Sequence, residues 1–252
     1  MRLVLLAWSL VIQKEPRFMD IRVTVHPHQT FISKCDPFNG LAQEILEFLE
    51  AGASVLAFKR GQLVYDSGST SAGFYLVMSG QVKQSIFSAD GAERVIRIIS
   101  RGGAFGASTL FTEQPARVTT YAMLDGEALV LRRALIREAV QTWPEFADRM
   151  LRHMSVKLYG LVGDLETCCL KSATQRVASY LAGIAADKSP HELVIEVTLP
   201  APKSVVASTL DLTPETFSRE LHRLSANGLI QVSRNRVAIH DLDRLRCLDC
   251  RG

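Results

Sequence analysis

The chain has 252 residues, of which 47% are apolar and 22% charged, and no low-complexity tract interrupts it. This composition is enough for two modest cores, so it excludes a disordered chain and indicates a globular protein. The net charge of +3 permits a polyanionic partner without requiring one. Five scattered cysteines do not resemble a secreted disulfide framework, so we expect a reducing, cytoplasmic environment.

The first residues contain a mostly apolar run from Leu3 to Ile12. These ten residues are too few to span a bilayer. No small-residue cleavage site follows them, so we expect neither a membrane anchor nor a working signal peptide. Two alternatives stay open: the run is native, or the native start is Met19 and the first eighteen residues are an extension. Residues 1–38 are treated as an N-terminal extension.

The next part of the chain, from about Phe58 to Leu131, has the pattern of short strands separated by glycines. Asp90-Gly91 predicts a hairpin turn, because glycine adopts positive φ without steric cost. Many short strands without intervening helices indicate a sandwich or barrel rather than a parallel sheet. The strand-like runs are Gln62–Tyr65, Phe74–Met78, Val82–Phe87 and Val95–Ile99.

A long helix is predicted from Phe146 to about Leu170, where no proline occurs. Apolar residues recur along it at Met150, Met154, Leu158, Leu161, Leu165 and Cys168. The last five have the three- and four-residue spacing of a heptad seam. The seam serves either to pack a core or to dimerise two chains, and its length favours dimerisation. A second amphipathic helix is expected over Ser172–Ala186.

The C-terminal part predicts two short helices, a tight turn and a hairpin. The first helix covers Lys203–Thr209. The second opens with Thr213-Pro214, a hydroxyl cap followed by proline at the first helical position, and Asn227-Gly228 closes it. Strand-like runs around Arg234-Asn235 then predict a wing. This is the pattern of a winged helix-turn-helix, whose second helix enters the major groove of DNA.

The second helix has an apolar side and a polar side, and the polar side suits base reading. Arg219 is able to donate two hydrogen bonds to guanine, Glu215 to accept from cytosine N4, and Ser218 to meet a thymine methyl or a base edge. The remaining candidate DNA contacts are Thr216 and His222 on this helix and the phosphate-binding Lys203, Arg223, Arg234 and Arg236. The alternative is a surface helix whose charges are simply solvated. The combination of two short helices, a tight turn and a wing disfavours this alternative.

This region resembles the recognition region of the CRP/FNR superfamily of transcription regulators. The resemblance is carried by Pro214-Glu215-Thr216-Phe217-Ser218-Arg219, Leu221-His222-Arg223-Leu224, Gly228-Leu229-Ile230, Ala173–Val177, and Gly102-x-x-Phe105-Gly106 with Leu110-Phe111. The Glu-x-x-Ser-Arg pattern is similar to the FNR branch, which implies TTGAT-type half-sites. In detail the chain resembles the nitric-oxide-responsive haem regulators of denitrification.

The resemblance implies an α+β protein with an N-terminal antiparallel β-roll of the cupin-like jelly-roll type. The roll is the cyclic-nucleotide-binding-like sensor at 39–142, followed by a dimerisation helix at 143–171 and a winged helix-turn-helix at 172–252. It further implies a homodimer on double-stranded DNA that activates transcription with RNA polymerase and contacts no membrane.

The effector does not follow from the sequence. In cyclic-nucleotide-binding relatives a glutamate and an Arg-Ser pair anchor the ligand; here these positions hold Ala107, Arg117 and Val118, which argues against cyclic AMP. An iron–sulfur cluster needs four thiolates, and the N-terminal part of the chain has only Cys35. We therefore expect no metal site, Cys247-x-x-Cys250 included.

Haem stays open as a cofactor. Its axial ligand would be His153, on the long helix and expected at the surface, or His26 or His28. The alternative function is a cyclic-nucleotide-type binding module without DNA binding. An enzyme is not expected, since no nucleophile–base set, phosphate loop or paired metal motif occurs at a suitable spacing.

Overall fold

The computed structural model describes residues 29–70, 73–112, 114–186, 188 and 194–249. The apolar run at 3–12, His26, His28 and Cys250 therefore lie outside the described residues. The chain forms two compact units. One contains the residues up to Val82 and Ile99–Arg152, and the other contains Lys83–Ile98 and the residues from His153 onward.

The first unit is built around an antiparallel sheet. Its strands are β1 (Ala53–Phe58), β2 (Leu63–Tyr65), β3 (Gly73–Phe87), β4 (Glu93–Ser100), β5 (Ala104–Phe105) and β6 (Thr119–Arg132). The strand order is β1-β6-β3-β4, and β2 pairs with β6 and β5 with β3. Its helices are α1 (Gln29–Ile32), α2 (Gln43–Ala51), α3 (Arg133–Thr142) and the start of α4 (Pro144–Leu170). The outer parts of β3 and β4 belong to the second unit.

Aromatic side chains fill the interior of this roll. The rings of Tyr75 and Phe105 stack with centroids 4.7 Å apart and planes 3° apart. The Tyr65 ring lies 6.0 Å from the first and 6.1 Å from the second. Leu56, Phe58, Val77, Val82 and Ile99 surround them as part of one buried cluster.

Two glycines are required by the backbone of the roll. Gly91 has φ 86° in the turn between β3 and β4, and its N–H donates to the Ser88 carbonyl at 3.0 Å. Gly106 has φ 87°, and a Cβ there would lie 2.4 Å from the Gly73 carbonyl oxygen and 2.9 Å from the Tyr75 ring. Both therefore adopt a conformation that other residues avoid.

The second unit contains a winged helix-turn-helix. Its helices are α5 (Ala173–Ile184), α6 (Lys203–Thr209), α7 (Pro214–Ala226) and α8 (Leu242–Asp249). The strands β7 (Ile195–Thr198), β8 (Ile230–Ser233) and β9 (Arg236–Ile239) form a three-stranded antiparallel sheet in the order β7-β9-β8. Ser172 caps α5 by accepting from the Gln175 N–H, and the Gln175 side chain accepts from the Ser172 N–H in return.

The predicted fold class is confirmed: an antiparallel roll, a long helix and a winged helix-turn-helix in an α+β chain. The Asp90-Gly91 hairpin is present between β3 and β4. The runs predicted as separate strands at Phe74–Met78 and Val82–Phe87 are one continuous strand, β3. This strand continues through Gly80, which has φ 77°.

The expectation that His153 lies at the surface is wrong, because only 3% of the residue is exposed. His153 lies three residues after Met150 and seven after Phe146 on α4, and both of these residues are buried. His153 thus shares the inward-facing side of the helix.

The predicted seam of α4 divides into a covered and an uncovered part. Met150 is buried and Met154 half-buried, whereas Leu158, Leu161 and Leu165 are more than half exposed. Further exposed apolar side chains on the same helix are Leu151, Val156, Tyr159, Val162 and Leu170. Large apolar side chains exposed in such number on one helix indicate a surface that a partner covers.

Candidate nucleic-acid interface

The centre of the candidate site is α7, and its ends form as its sequence predicts. Thr213 is extended and its hydroxyl oxygen accepts from the Thr216 N–H at 3.2 Å. Pro214 occupies the first turn, where a missing N–H costs nothing. After the last turn Gly228 has φ 71°, so the chain turns directly into β8.

The two sides of α7 separate cleanly. Phe217, Leu221 and Leu224 are each no more than 2% exposed and fix the helix to the core of the domain. The predicted reading residues lie together on the exposed side: Glu215, Ser218, Arg219 and His222. Thr216 is half-buried beside them, and Arg223 is exposed one turn further along.

The turn between α6 and α7 is tight. Asp211 has φ 57°, an uncommon conformation for a residue other than glycine. The Leu212 N–H donates to the Ala207 carbonyl at 3.0 Å and so closes the turn. The angle between the two helices is thereby set by the backbone.

Arg176, which belongs to one of the family-like motifs, holds three segments together. Its Nε donates to the Lys171 carbonyl at 3.1 Å and its Nη2 to the Cys168 carbonyl at 2.6 Å. Its Nη1 donates to the carbonyls of Leu210 and Asp211, each at 3.2 Å. One guanidinium therefore connects the end of α4, the start of α5 and the turn before α7.

The guanidinium of Arg219 makes two long contacts within α7 and is otherwise exposed. Its Nη2 donates to the Thr216 hydroxyl at 3.4 Å, and its Nε lies 3.8 Å from the Glu220 carboxylate. Its side chain is still 70% exposed. The guanidinium thus has a preferred direction and keeps donors for a base edge.

Glu215 is in the form that accepts hydrogen bonds. Its own backbone N–H and then the Thr213 hydroxyl hold the pKa of its carboxyl below the ordinary value. The carboxylate is therefore ionised at neutral pH and suited to the N4 amino group of cytosine.

The wing extends from the same domain. Arg234 has φ 54° in the tight turn between β8 and β9, and Ser233 pairs with Arg236 at the base of that turn. Arg234 and Arg236 are both exposed. Lys203 is half-buried at the first position of α6.

Three contributors to this site were not assigned a role from the sequence, although Thr174 lies in the family-like run Ala173–Val177. Glu220 is a charged residue on α7 that is nevertheless buried, and Thr174 on α5 donates to it at 2.7 Å. Arg94 on β4 approaches Asp211 at 3.1 Å. Each partner is distant along the chain, so local patterns cannot show the pair.

The two candidate effector residues differ in their exposure to solvent. Arg117 is exposed in the loop before β6. His153 is buried on α4 and already makes an interaction within the fold. Within the described residues, no group of three or more His, Cys, Asp or Glu side chains is arranged to hold a metal ion. None of the described helices is long and apolar enough to cross a membrane.

Comparison with known proteins agrees with this architecture. The family model of the cyclic nucleotide-binding domain matches residues 55–142, and that of the Crp-like helix-turn-helix domain matches residues 175–248. The chain is 23% identical over 215 residues to a CRP-like cAMP-activated global transcriptional regulator of Mycobacterium tuberculosis, covering 85% of this chain and 96% of that protein.

A further relative and a solved structure carry the name FixK. The nitrogen fixation regulation protein FixK of Azorhizobium caulinodans is 28% identical over 195 residues, covering 76% of this chain and 77% of FixK. The structure of FixK2 from Bradyrhizobium japonicum matches with a TM-score of 0.68 at 21% identity, covering 79% of this chain and 98% of FixK2. With its cyclic-nucleotide-binding-type roll and Crp-like helix-turn-helix, the chain belongs to the CRP/FNR family, whose members are DNA-binding transcription regulators and not enzymes.

Proposed function

We propose that this chain is a cytoplasmic homodimer that reads a palindrome of TTGAT-like half-sites and activates transcription in contact with RNA polymerase. The observation that carries the proposal is the exposed polar side of α7, where Glu215, Ser218, Arg219 and His222 lie together. The helix is capped at its start and packed by three buried apolar residues, so it presents these side chains rigidly.

The division of labour follows from side-chain chemistry. Arg219 takes a guanine O6 and N7, Glu215 the cytosine N4, and Ser218 a thymine methyl or a base edge. Thr216 and His222 flank them. The remaining contacts are phosphate contacts, which fix the register on the duplex without reading sequence: Lys203, Arg223, Arg234 and Arg236.

Dimerisation is assigned to the exposed apolar side of α4. Leu158, Leu161 and Leu165 continue the heptad seam beyond the buried Met150. A second copy of this helix would cover them in a two-stranded packing. Two recognition helices related by a twofold axis then read two half-sites of opposite orientation.

We further propose that an effector controls DNA binding because it binds one form of the dimer more tightly than the other. The resemblance implies a nitric-oxide or redox response through haem, but the described residues argue against it. Tyr75 and Phe105 lie in the buried cluster of the roll with Tyr65 packed against it, and His153 is buried with a partner. Cyclic AMP is disfavoured because Ala107 and Val118 provide neither a carboxylate nor a hydroxyl.

Selection of duplexes from a random pool by the full-length protein tests the proposal. We expect enrichment of a palindrome with TTGAT-like halves. A ligand-binding module that does not contact DNA would enrich no sequence, and this result would contradict the proposal.

A further inference from the structure

Helix α7 carries one charged side chain, Glu220, that is buried in the domain. Glu220 follows Arg219 directly, but its side chain is only 8% exposed. Burying a carboxylate is costly unless it is compensated by hydrogen bonds or opposite charges. The burial of Glu220 therefore has to be compensated by the groups around its carboxylate.

Three polar groups surround the Glu220 carboxylate. The Thr174 hydroxyl donates to Oε2 at 2.7 Å. Oε1 lies 3.8 Å from Arg219 Nε, and Oε2 lies 3.9 Å from Arg223 Nη1. Arg223 Nη1 also donates to the Thr174 hydroxyl at 3.4 Å. The carboxylate thus lies between one residue of α5 and two guanidiniums of α7.

The two sides of this arrangement differ in exposure to solvent. Glu220 is enclosed by packing, whereas the side chains of Arg219 and Arg223 are 70% and 66% exposed. A buried negative charge beside two exposed guanidiniums restricts the directions in which those guanidiniums point. Such restriction before binding lowers the entropy cost of forming the complex.

We propose that Glu220 is a positioning and specificity-determining residue, which orients Arg219 toward its base and Arg223 toward a phosphate through the Thr174–Glu220 contact. This inference rests on the proposed reading of DNA by α7. Glu220 itself touches no base.

The charge of Glu220 gives the proposal a distinctive consequence. A carboxylate near a polyanion opposes binding to any DNA sequence, whereas oriented arginines favour one sequence. Glu220→Gln keeps the acceptor for Thr174 but removes both effects of the charge. General affinity should therefore stay equal or rise while discrimination falls. A change that only loosened the helix would weaken binding to both kinds of DNA.

The experiment compares full-length wild type with Glu220→Gln, Thr174→Val and the double variant. Each protein first selects duplexes from a random pool, and its affinity is then measured for the wild-type winner and a scrambled duplex. Asp243→Asn is the matched control, because it removes an exposed carboxylate on α8 in the same domain. Thermal unfolding of each variant reports its folding.

We expect Glu220→Gln to lower the ratio of specific to scrambled affinity about three- to tenfold, as two weak ion pairs per recognition helix imply. Scrambled affinity should be unchanged or tighter. Thr174→Val should lower the same ratio, with no further loss in the double variant. Asp243→Asn should keep the wild-type ratio.

Two results overturn the inference, and they differ from failure of the proposed function. The first is that wild type enriches a sequence, but Glu220→Gln and Thr174→Val keep the wild-type ratio of specific to scrambled affinity. In that case Glu220 does not position the arginines. If both variants weaken the two duplexes equally, the role is structural. If wild type enriches no sequence, the proposed function is wrong and the inference falls with it.

Discussion

Arg94 and Asp211 form an ion pair, with Nη1 and Oδ1 3.1 Å apart, that joins β4 to the turn of the helix-turn-helix. Arg176 approaches the other Asp211 oxygen at 3.5 Å. Close by, the Val95 N–H donates to the Ser208 hydroxyl at 2.8 Å. The outer end of the β3–β4 hairpin is thus bonded to the segment that sets the direction of α7.

Asp211→Asn tests the strength of this connection. Asparagine tolerates the positive φ of residue 211, so the change removes the ion pairs without straining the turn. Because the paired side chains of Arg94 and Asp211 are 38% and 45% exposed, we expect a loss of only about 0.2–1 kcal/mol per pair in urea unfolding. Hydrogen exchange at the Val95 amide should quicken. Unchanged exchange would show that the ion pair does not hold the hairpin.

Tyr180 on α5 should make the stability of the protein sensitive to alkaline pH. Burial raises the pKa of its phenol to about 12, against about 10 in the unfolded chain. Between these two pKa values the phenol is ionised in the unfolded chain but not in the folded one. The free energy of unfolding therefore falls as pH rises from the unfolded to the folded pKa, and the phenol has no effect on it at lower pH.

Tyr180→Phe should abolish that alkaline loss. The Tyr180 hydroxyl is buried without a hydrogen-bond partner among the described residues, so at neutral pH the variant should be as stable or gain up to about 1 kcal/mol. Urea midpoints at neutral pH and across the window measure both effects. A variant that is less stable at neutral pH would mean that the hydroxyl is bonded.

Leu161→Glu tests the assignment of α4 to the dimer interface. Leu161 is 54% exposed in the single chain, so a charge there costs the fold of one chain little. In a two-stranded seam the same charge would be buried, and we expect monomers that do not retain operator DNA. Light scattering measures the mass, and an unchanged dimer would contradict the assignment. Glu166→Gln, at an exposed position of the same helix, serves as the control.

We expect neither cyclic AMP nor haem to be the effector, and binding of each ligand tests this expectation. Cyclic AMP should bind no tighter than about millimolar in calorimetry, because Ala107 and Val118 leave little polar anchoring. Haem added to the purified protein should give no stable Soret band, because the described roll is filled by its own aromatic rings. Micromolar cyclic AMP affinity would mean that other residues anchor the nucleotide. A stable band whose DNA binding responds to nitric oxide would restore the haem prediction.

The features that the sequence predicts best are helix ends and turns, because they depend on a few neighbouring residues. The ends of α7 follow from Thr213, Pro214 and Gly228, and the β3–β4 hairpin from Asp90-Gly91. Long-range packing decides the rest. Strand β7 was not predicted, since it is defined by pairing with β9 some forty residues later.

The same reason hides two buried polar residues. From the sequence, His153 is expected at the surface, but it lies on the buried side of α4. Glu220 is likewise expected to be an exposed charge on α7, but it is buried. Its burial depends on Thr174, 46 residues earlier in the chain. Such pairs leave no periodic pattern in one sequence.

We expect α7 to read bases and the wing to contact phosphates. Arg219→Ala should cost about 1–3 kcal/mol per half-site and relax discrimination at one base pair. Arg236→Ala should instead weaken all sequences alike and reduce the salt slope of binding by about one. Arg219→Ala should thus lose sequence specificity, whereas Arg236→Ala should lose affinity for all DNA.

Binding isotherms of both variants on a TTGAT-type palindrome and a scrambled duplex, at two salt concentrations, test this claim most directly. We expect Arg219→Ala to lose affinity for the palindrome alone and Arg236→Ala to lose it for both duplexes. Equal weakening of both duplexes by Arg219→Ala would make Arg219 a phosphate contact and contradict the assignment of the reading side.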